Sequence, residues 1–347
     1  MIFLKKIYDV KHFAISNDYI GVIKIHDKFI LECLGVEEID ISYPEISRSV
    51  YSYHNYMVFS DIKNICSVVI DLKYKKEFKL NYLISFPFLI DNFVFNNYLF
   101  PNIRTKIKES AKIKIPSFEI ESVYPINYGV NGIWKIIDDR KFISIDEGRI
   151  FIHSFFDGKL LWQHSFPELL ESEQGDDFIF QNGNIVVHDG KLYFSLFERN
   201  RHLNNVTVCI DIETGKIEKK YKGFAGNLTL FNNKIAIAGD KVVEILDLKT
   251  HSIYKKDYSN YLGSDKLSIS WNSFKVTEDE LFYFIASDHR QGSYIGIIDL
   301  KTDELIWLYA LNPDKETYDI GALDFKLSDN RMYVHCSDNT LHIFEKE

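Results

Sequence analysis

Proline and cysteine are scarce in this chain of 347 residues, which carries only 7 Pro and 4 Cys, and a surplus of positive charge is lacking. Scarce proline suits a protein in which most backbone N–H groups donate to a sheet ladder. Cys33, Cys66, Cys209 and Cys336 are scattered, with no CxxC pair and no metal-type spacing, so they read as buried, reduced thiols on strands. Lys and Arg number 41 against 50 Asp and Glu, a net charge of −9, and a nucleic-acid binder needs the opposite balance. An acidic surface keeps a protein soluble and also suits a basic protein partner.

Further absences narrow the field. No run reaches the roughly 18 apolar residues that a membrane-spanning helix requires, so no membrane partner is expected. The opening residues MIFLKKIYDV hold no apolar core of signal-peptide length, no small-residue cleavage site and no lipid-attachment cysteine, so the expected compartment is the cytoplasm. No segment keeps helical periodicity beyond about two turns, and PELLESEQGDD (Pro167 to Asp177) predicts one short helix in a connector. Catalytic signatures are missing as well: there is no G-x-S-x-G, HExxH or P-loop. Asp138-Asp139 and Asp176-Asp177 sit in a turn and a polar connector. His335 and His342, expected on neighbouring strands within reach of each other, lack a third ligand for zinc. Neither a catalytic residue, nor a metal, nor a cofactor is assigned.

What the chain has is repetition. One phrase recurs five times: VIDLKYKKEFKLN (Val69 to Asn81), IHSFFDGKLLWQH (Ile152 to His164), CIDIETGKIEKKY (Cys209 to Tyr221), ILDLKTHSIYKKD (Ile245 to Asp257) and IIDLKTDELIWLY (Ile297 to Tyr309). Each is an apolar run ending at or near an acid, then a tight turn, then a second strand. Gly158 and Gly215 occupy the turn in two copies, and His251 and Asp303 in two others, where they must accept the left-handed backbone. A second phrase, strand–polar turn–strand, precedes the first. It is found at His12 to Ile25, Ser49 to Ser60, Phe86 to Phe100, Ile133 to Ile145, Asn184 to Phe197, Leu228 to Gly239, Phe274 to Ser287 and Phe325 to Ser337.

Together the two phrases make a unit of four antiparallel strands repeating every roughly 40–45 residues, the period of a propeller blade. The fold expected is therefore all-β, a single propeller domain over residues 1–347. Eight blades follow from eight copies of the strand–turn–strand phrase, with seven as the other count. The end of the chain, Thr340 to Glu347, reads as a third strand without a fourth, and Ile2 to Val10 as a strand without a predecessor. Their pairing closes the ring and hides two sheet edges. The 27 Phe and 21 Tyr supply the layers between blades.

The windows ending in Trp162 and Trp307 resemble the tryptophan-docking repeat of quinoprotein-type (PQQ-like) propellers. In that repeat an Asp and a Thr-Gly-Lys turn precede a Trp eight residues after the Asp. Asp299 to Trp307 keeps the spacing, with Thr302 in place; Trp162 follows Asp157-Gly158-Lys159, with Ser154 where the Asp stands. Asp71, Asp211 and Asp247 keep the acid but are followed by Lys79, Lys219 and Lys255 at the Trp position. WD-repeat propellers are resembled less, since no copy ends a strand in Trp-Asp. The resemblance implies that Trp162 and Trp307, with Asp211, Asp247 and Asp299, lock blade to blade. It also implies a choice between quinone-dependent dehydrogenases and non-catalytic scaffolds such as the outer-membrane assembly lipoproteins. The enzymes carry a calcium site and typically an adjacent Cys-Cys pair, and this chain has no such pair. The non-catalytic branch is the expectation.

Functional clues lie where the repeat is interrupted. Two blades have long second-to-third-strand loops, ERNRHLNN (Glu198 to Asn205) and SDHRQGS (Ser287 to Ser293). Arg199, Arg201, His202, His289 and Arg290 on them form a candidate cationic rim for an acidic partner segment or an anion. Tyr124, Tyr128, Tyr261, Trp134 and Trp271 fall in inter-blade connectors. Of these, Tyr128, Tyr261 and Trp271 are candidate interface anchors, while Trp134 and Trp271 fit equally as packing along the channel. The function expected is a non-catalytic protein-binding module or scaffold, for instance an immunity-type inhibitor of a basic toxin. The alternative is a hydrolase or lyase acting on a sugar or peptide in the central channel.

Overall fold

A computed structural model describes residues 1–16, 19–24, 29–33, 36–41, 50–53, 55–61, 65–74, 76–85, 94–95, 98–99, 102–104, 108–125, 133–138, 140, 141–146, 148–154, 157–170, 178–180, 185–198, 205–263, 267–288, 293–311, 321–328 and 330–346. Among these residues the chain forms eight sheets, six of them four-stranded antiparallel blades of a β-propeller.

Sheet 1 runs Val10–Ser16, Tyr19–Lys24, Phe29–Cys33, Val36–Ile41, and sheet 2 runs Val50–Tyr53, Tyr56–Asp61, Cys66–Asp71, Lys76–Leu80. In sheet 3 the long strand Lys108–Lys114 pairs with both Asn102–Arg104 and Tyr98–Leu99 on one edge and with Glu119–Pro125 on the other, and Leu83–Ser85 and Val94–Phe95 bring the sheet to six strands. Of the sequence phrase at Phe86 to Phe100, only Val94–Phe95 and Tyr98–Leu99 lie among the described residues, and they pair. Sheet 4 pairs Ile133–Ile136 with Lys141–Asp146, and Arg149–Ser154 with Leu160–Ser165. Sheet 5 has five strands because its first is split: Phe178–Phe180 and Val186–His188 both pair with Lys191–Glu198, followed by Val206–Asp211 and Ile217–Lys222. Sheet 6 is Thr229–Phe231, Lys234–Gly239, Val242–Asp247, Ile253–Asp257; sheet 7 is Leu267–Val276, Leu281–Asp288, Ser293–Asp299, Glu304–Ala310.

Sheet 8 takes Ala322–Leu327, Arg331–Cys336 and Leu341–Glu345 from the end of the chain and adds Ile2–Ile7 as its fourth strand, in the register Ile2↔Glu345 to Ile7↔Leu341. This is the closure that the two incomplete strand sets call for. His335 lies opposite Leu341 and His342 opposite Val334. Side chains alternate along a strand, so the two imidazoles point to opposite faces of the sheet and do not meet.

Turn chemistry follows the sequence. Asp189-Gly190 (φ 48° and 69°) and Asn232-Asn233 (φ 43° and 58°) have both central residues left-handed, the two-residue hairpin geometry that matches strand twist. In the five-fold phrase the same conformation falls on Gly158, Gly215, His251 and Asp303. Among the described residues helix is confined to Phe166–Leu170, which overlaps the start of the stretch where a helix is predicted, and to a single turn at Ser259–Leu262.

By contacts the chain comprises two compact units: Met1–Ser144 with Phe155–Gly158 and Leu323–Glu347, and Ile145–Ser154 with Lys159–Ala322. Alternation sets the core of each. In the first unit, Phe13, Ile20, Val22, Tyr333 and Ile343 fill the layer between sheets 8 and 1, and Ala14, Ile23, Met57, Phe59 and Val68 that between sheets 1 and 2. In the second, one face of sheet 6 (Ile235, Ile237, Leu246) packs on Tyr193, Cys209 and Tyr221 of sheet 5. The other (Ala236, Val243, Ile245) packs on Phe274, Phe282 and Phe284 of sheet 7. That two-sided burial fixes where sheet 6 can carry a polar group.

Candidate functional site

The repeated acids cap their own turns. Asp211 Oδ1 accepts from the Thr214 amide (2.8 Å) and hydroxyl (2.7 Å), and these bonds hold its carboxyl below the usual range. Asp247 Oδ1 accepts from the amides of Thr250 (2.8 Å) and Lys249 (2.9 Å), with the same effect. Asp299 Oδ1 accepts from the amides of Lys301 and Thr302, at 2.8 and 3.4 Å.

Each of these turns in the second unit also receives the outer strand of the preceding sheet. Trp162 Nε1–H donates to the Ile212 carbonyl at 2.8 Å, and His164 Nε2–H to the Gly215 carbonyl at 2.6 Å. The indole lies on Gly215 so closely that a Cβ there would stand 2.7 Å from Trp162 Cγ. At the next turn the Tyr221 hydroxyl and His251 Nδ1 share a 2.8 Å hydrogen bond. At the one after, Lys256 Nζ and the Tyr258 hydroxyl both donate to Asp303 Oδ1, at 2.5 and 3.1 Å. Trp307 stacks on Tyr309 of its own strand, centroids 5.8 Å apart.

Of the candidate partner residues, Arg199, Arg201, His202, His289, Arg290 and Tyr128 lie outside the described residues. Tyr261 is exposed on the helical turn Ser259–Leu262, beside the buried Tyr258. Trp271 is 48% exposed, and it belongs to a strand, not to a connector. Pairing between Leu267–Val276 and Leu281–Asp288 is regular up to Ile269↔Ala286 and resumes at Phe274↔Phe284, with a register shift between. The bulged residues are Ser270 to Ser273. Asn272 Oδ1 ties the bulge by accepting from the hydroxyls of Ser270 (2.7 Å) and Ser273 (3.0 Å), and the Asn272 carbonyl accepts from Asn227 Nδ2 (3.3 Å). A bulge of this kind re-aims a side chain.

Trp271 is aimed at a cavity of about 350 Å³ within the second unit, lined by Phe197, Asn205, Gly226, Gly239, Glu244 and Trp271 among others. Phe197 and Asn205 bracket the loop from Glu198 that interrupts sheet 5. Gly226 is required by close approach, since a Cβ would sit 2.9 Å from Ile237 Cβ; its amide donates to Ser195 Oγ at 3.2 Å. Glu244 stands opposite Ile237 and Val242 opposite Gly239, so all four lie on the sheet 5 face of sheet 6. Lys255 Nζ donates to Glu244 Oε1 at 2.7 Å, and the Lys255 side chain is 64% exposed against 18% for Glu244. Asn205 Oδ1 is buried with no hydrogen-bond partner among the described residues.

Glu244 went unremarked in the sequence, although the repeat holds a signal for it. Three residues before the repeated acid stand Val68, Val208 and Gly296 in other copies, and Glu244 breaks that apolar or small series.

The remaining sequence candidates have local partners. Asp138 Oδ1 accepts from the Arg140 amide at 2.7 Å, as a turn acid does, and Asp139, Asp176 and Asp177 lie outside the described residues. His335 Nε2–H donates to the Val10 carbonyl at 2.9 Å. Cys66, Cys209 and Cys336 are buried and unpaired by disulfide, and burial pushes the Cys336 thiol up to about 12. Among the described residues no helix is long and apolar enough to cross a membrane, and no group of three or more His, Cys, Asp or Glu could hold a metal ion.

Comparison with known proteins places the fold. No family model matches the chain, and no curated protein sequence matches it. Solved structures do. BamB from Moraxella catarrhalis superposes with a TM-score of 0.58 at 13% identity, covering 99% of both chains. The C-terminal WD40 domain of Sif2 gives a TM-score of 0.62 at 12% identity, covering 99% of this chain and 98% of that one. The computationally designed Ika8 protein gives 0.59 at 13% identity, with 99% and 98% covered. At such identities the likeness defines the class, a β-propeller, and nothing of the chemistry.

Proposed function

We propose that this protein is a non-catalytic propeller that binds another protein, and that the groove under Trp271 is where it does so. Trp271 carries the reading. Exposing nearly half of a tryptophan on a rigid sheet wastes burial, and a bulge held by three side-chain hydrogen bonds keeps it over a cavity. Aromatic anchors of this kind, set beside a pocket, dominate protein–protein binding energy. The acidic surplus favours a basic partner, and an immunity-type protein that blocks a basic toxin is the specific form of this reading; an assembly scaffold is its other form. Acting as one domain in the cytoplasm, the protein would present this groove as a preformed surface.

The test is quantitative recovery of partners from native extract on tagged wild type and on Trp271→Ala. A partner held by the wild type and depleted about 30-fold on the variant is expected for a hot-spot residue worth about 2 kcal/mol. Equal recovery on both places the binding surface elsewhere.

A further inference from the structure

Resting on the reading of the Trp271 groove as a binding site, we infer that it takes a single cationic side chain, arginine or lysine, from the partner. Three observations converge on that chemistry. First, among the described residues that line the cavity none is cationic, and two present acceptor oxygens: the Glu244 carboxylate and Asn205 Oδ1. Second, among the described residues both groups have few partners. Asn205 Oδ1 is buried with none among the described residues, and a buried acceptor of this kind favours an incoming donor. Among the described residues Glu244 is bonded through Oε1, to a lysine whose own side chain is mostly in solvent. A pair whose lysine is mostly hydrated yields to a better-placed donor. Third, the walls are apolar and aromatic. Phe197, Ile237 and Val242 offer a surface for an aliphatic stem, and the indole of Trp271 offers a face to the cationic head.

The size agrees. About 350 Å³ is at the small end of ligand cavities, room for one long side chain and not for a folded cofactor. Glu244 lies on the sheet 5 face of sheet 6, beside Gly239, and its side chain is 18% exposed, so the carboxylate is not fully desolvated. A net charge of −9 would draw such a partner in from a distance.

The experiment is an NMR titration of the full chain, labelled at Trp indole and Asn side-chain amide nitrogens, with three capped tripeptides: Gly-Arg-Gly, Gly-Leu-Gly and Gly-Glu-Gly. Saturable shifts of the Trp271 indole and the Asn205 amide are expected with the arginine peptide alone. Glu244→Gln, which keeps the side chain's shape, should weaken that binding about tenfold, and Lys255→Gln, which frees Oε1, should tighten it. Equal binding of the leucine peptide, or no effect of Glu244→Gln, overturns the inference and leaves an apolar groove. Binding of no peptide overturns it too. Either failure is distinct from failure of the Trp271 groove as the partner-binding site, which falls if Trp271→Ala retains every partner that the wild type holds.

Discussion

The indole nitrogen of Trp162 donates to the carbonyl of Ile212 at 2.8 Å, and its ring lies on Gly215, so one outer-strand side chain clamps the turn of the following sheet. Gly215 has a double constraint: its φ is +70°, and a Cβ would stand 2.7 Å from Trp162 Cγ. Gly215→Ala is therefore expected to cost about 2–4 kcal/mol, from left-handed strain and overpacking together. In Trp162→Ala the overpacking part vanishes, so the double variant should be more stable than the sum of the single losses predicts. Urea unfolding of the four proteins measures the coupling, and strict additivity would show that the ring does not brace the turn.

The Asp211 carboxyl is held low chiefly by the Thr214 hydroxyl, then by the Thr214 amide. Because its folded pKa lies below the ordinary 3.8, its contribution is fully present above that pH and is lost as pH falls through the folded value. Thr214→Val removes the leading cause and should raise the Asp211 pKa towards 3.8, as read from the carboxyl carbon shift on titration. An unmoved pKa would assign the depression to the backbone alone.

Much of this architecture was legible because turns and alternation are local. Asp189-Gly190, Asn232-Asn233, Thr250-His251 and Thr302-Asp303 each announce a reversal by residues that tolerate positive φ, and the structure reverses at each. The clamp was legible at Trp162. Where Lys219 and Lys255 replace the Trp, the contact has moved along the strand to Tyr221, Lys256 and Tyr258, with polar bonds in place of ring stacking. The bulge at Ser270 to Ser273 left no mark in the periodicity, because a strand's register is set by its partner. Trp271 accordingly looked like a connector residue, equally suited to packing. Phe197 and Asn205 were reachable only as the ends of an unusually long loop.

Tyr258 extends the clamp to the turn of sheet 7. Its ring is buried, its hydroxyl meets Asp303 Oδ1 at 3.1 Å, and Lys256 meets the same oxygen at 2.5 Å. Tyr258→Phe should cost about 1 kcal/mol, a modest figure because Asp303 is half in solvent and can turn to water. Asp303→Asn keeps a residue that accepts the left-handed backbone, so it should lose the Lys256 attraction without straining the turn. Unfolding curves for Tyr258→Phe in the wild-type and Asp303→Asn backgrounds test this; an equal cost in both would show that the hydroxyl does not depend on the carboxylate.

His342 makes ring closure sensitive to acid. It is 3% exposed under the N-terminal strand, edge-on to Phe3 and stacked with Phe344, and neither ring nitrogen has a partner among the described residues. Burial, and then the Lys6 ammonium, lower its pKa to about 4 against the pull of Asp338. The unfolded chain binds a proton near pH 6.5 that the folded chain refuses until about pH 4. Stability from this group is thus intact above pH 6.5 and declines as the pH falls towards 4, by about 3 kcal/mol in all, of which about 2 kcal/mol is gone by pH 5. His12, whose pKa burial also lowers with help from His335, Lys11 and Lys326, acts in the same direction, so the wild type alone cannot apportion the loss. His342→Leu removes one titration and leaves the other. Urea unfolding at pH 7 and pH 5 should show the variant losing about 2 kcal/mol less than the wild type. Hydrogen exchange should locate the difference in Ile2–Ile7 and Leu341–Glu345, the two strands that cover the imidazole. The same acid loss in the variant would mean that His342 is already protonated in the folded protein.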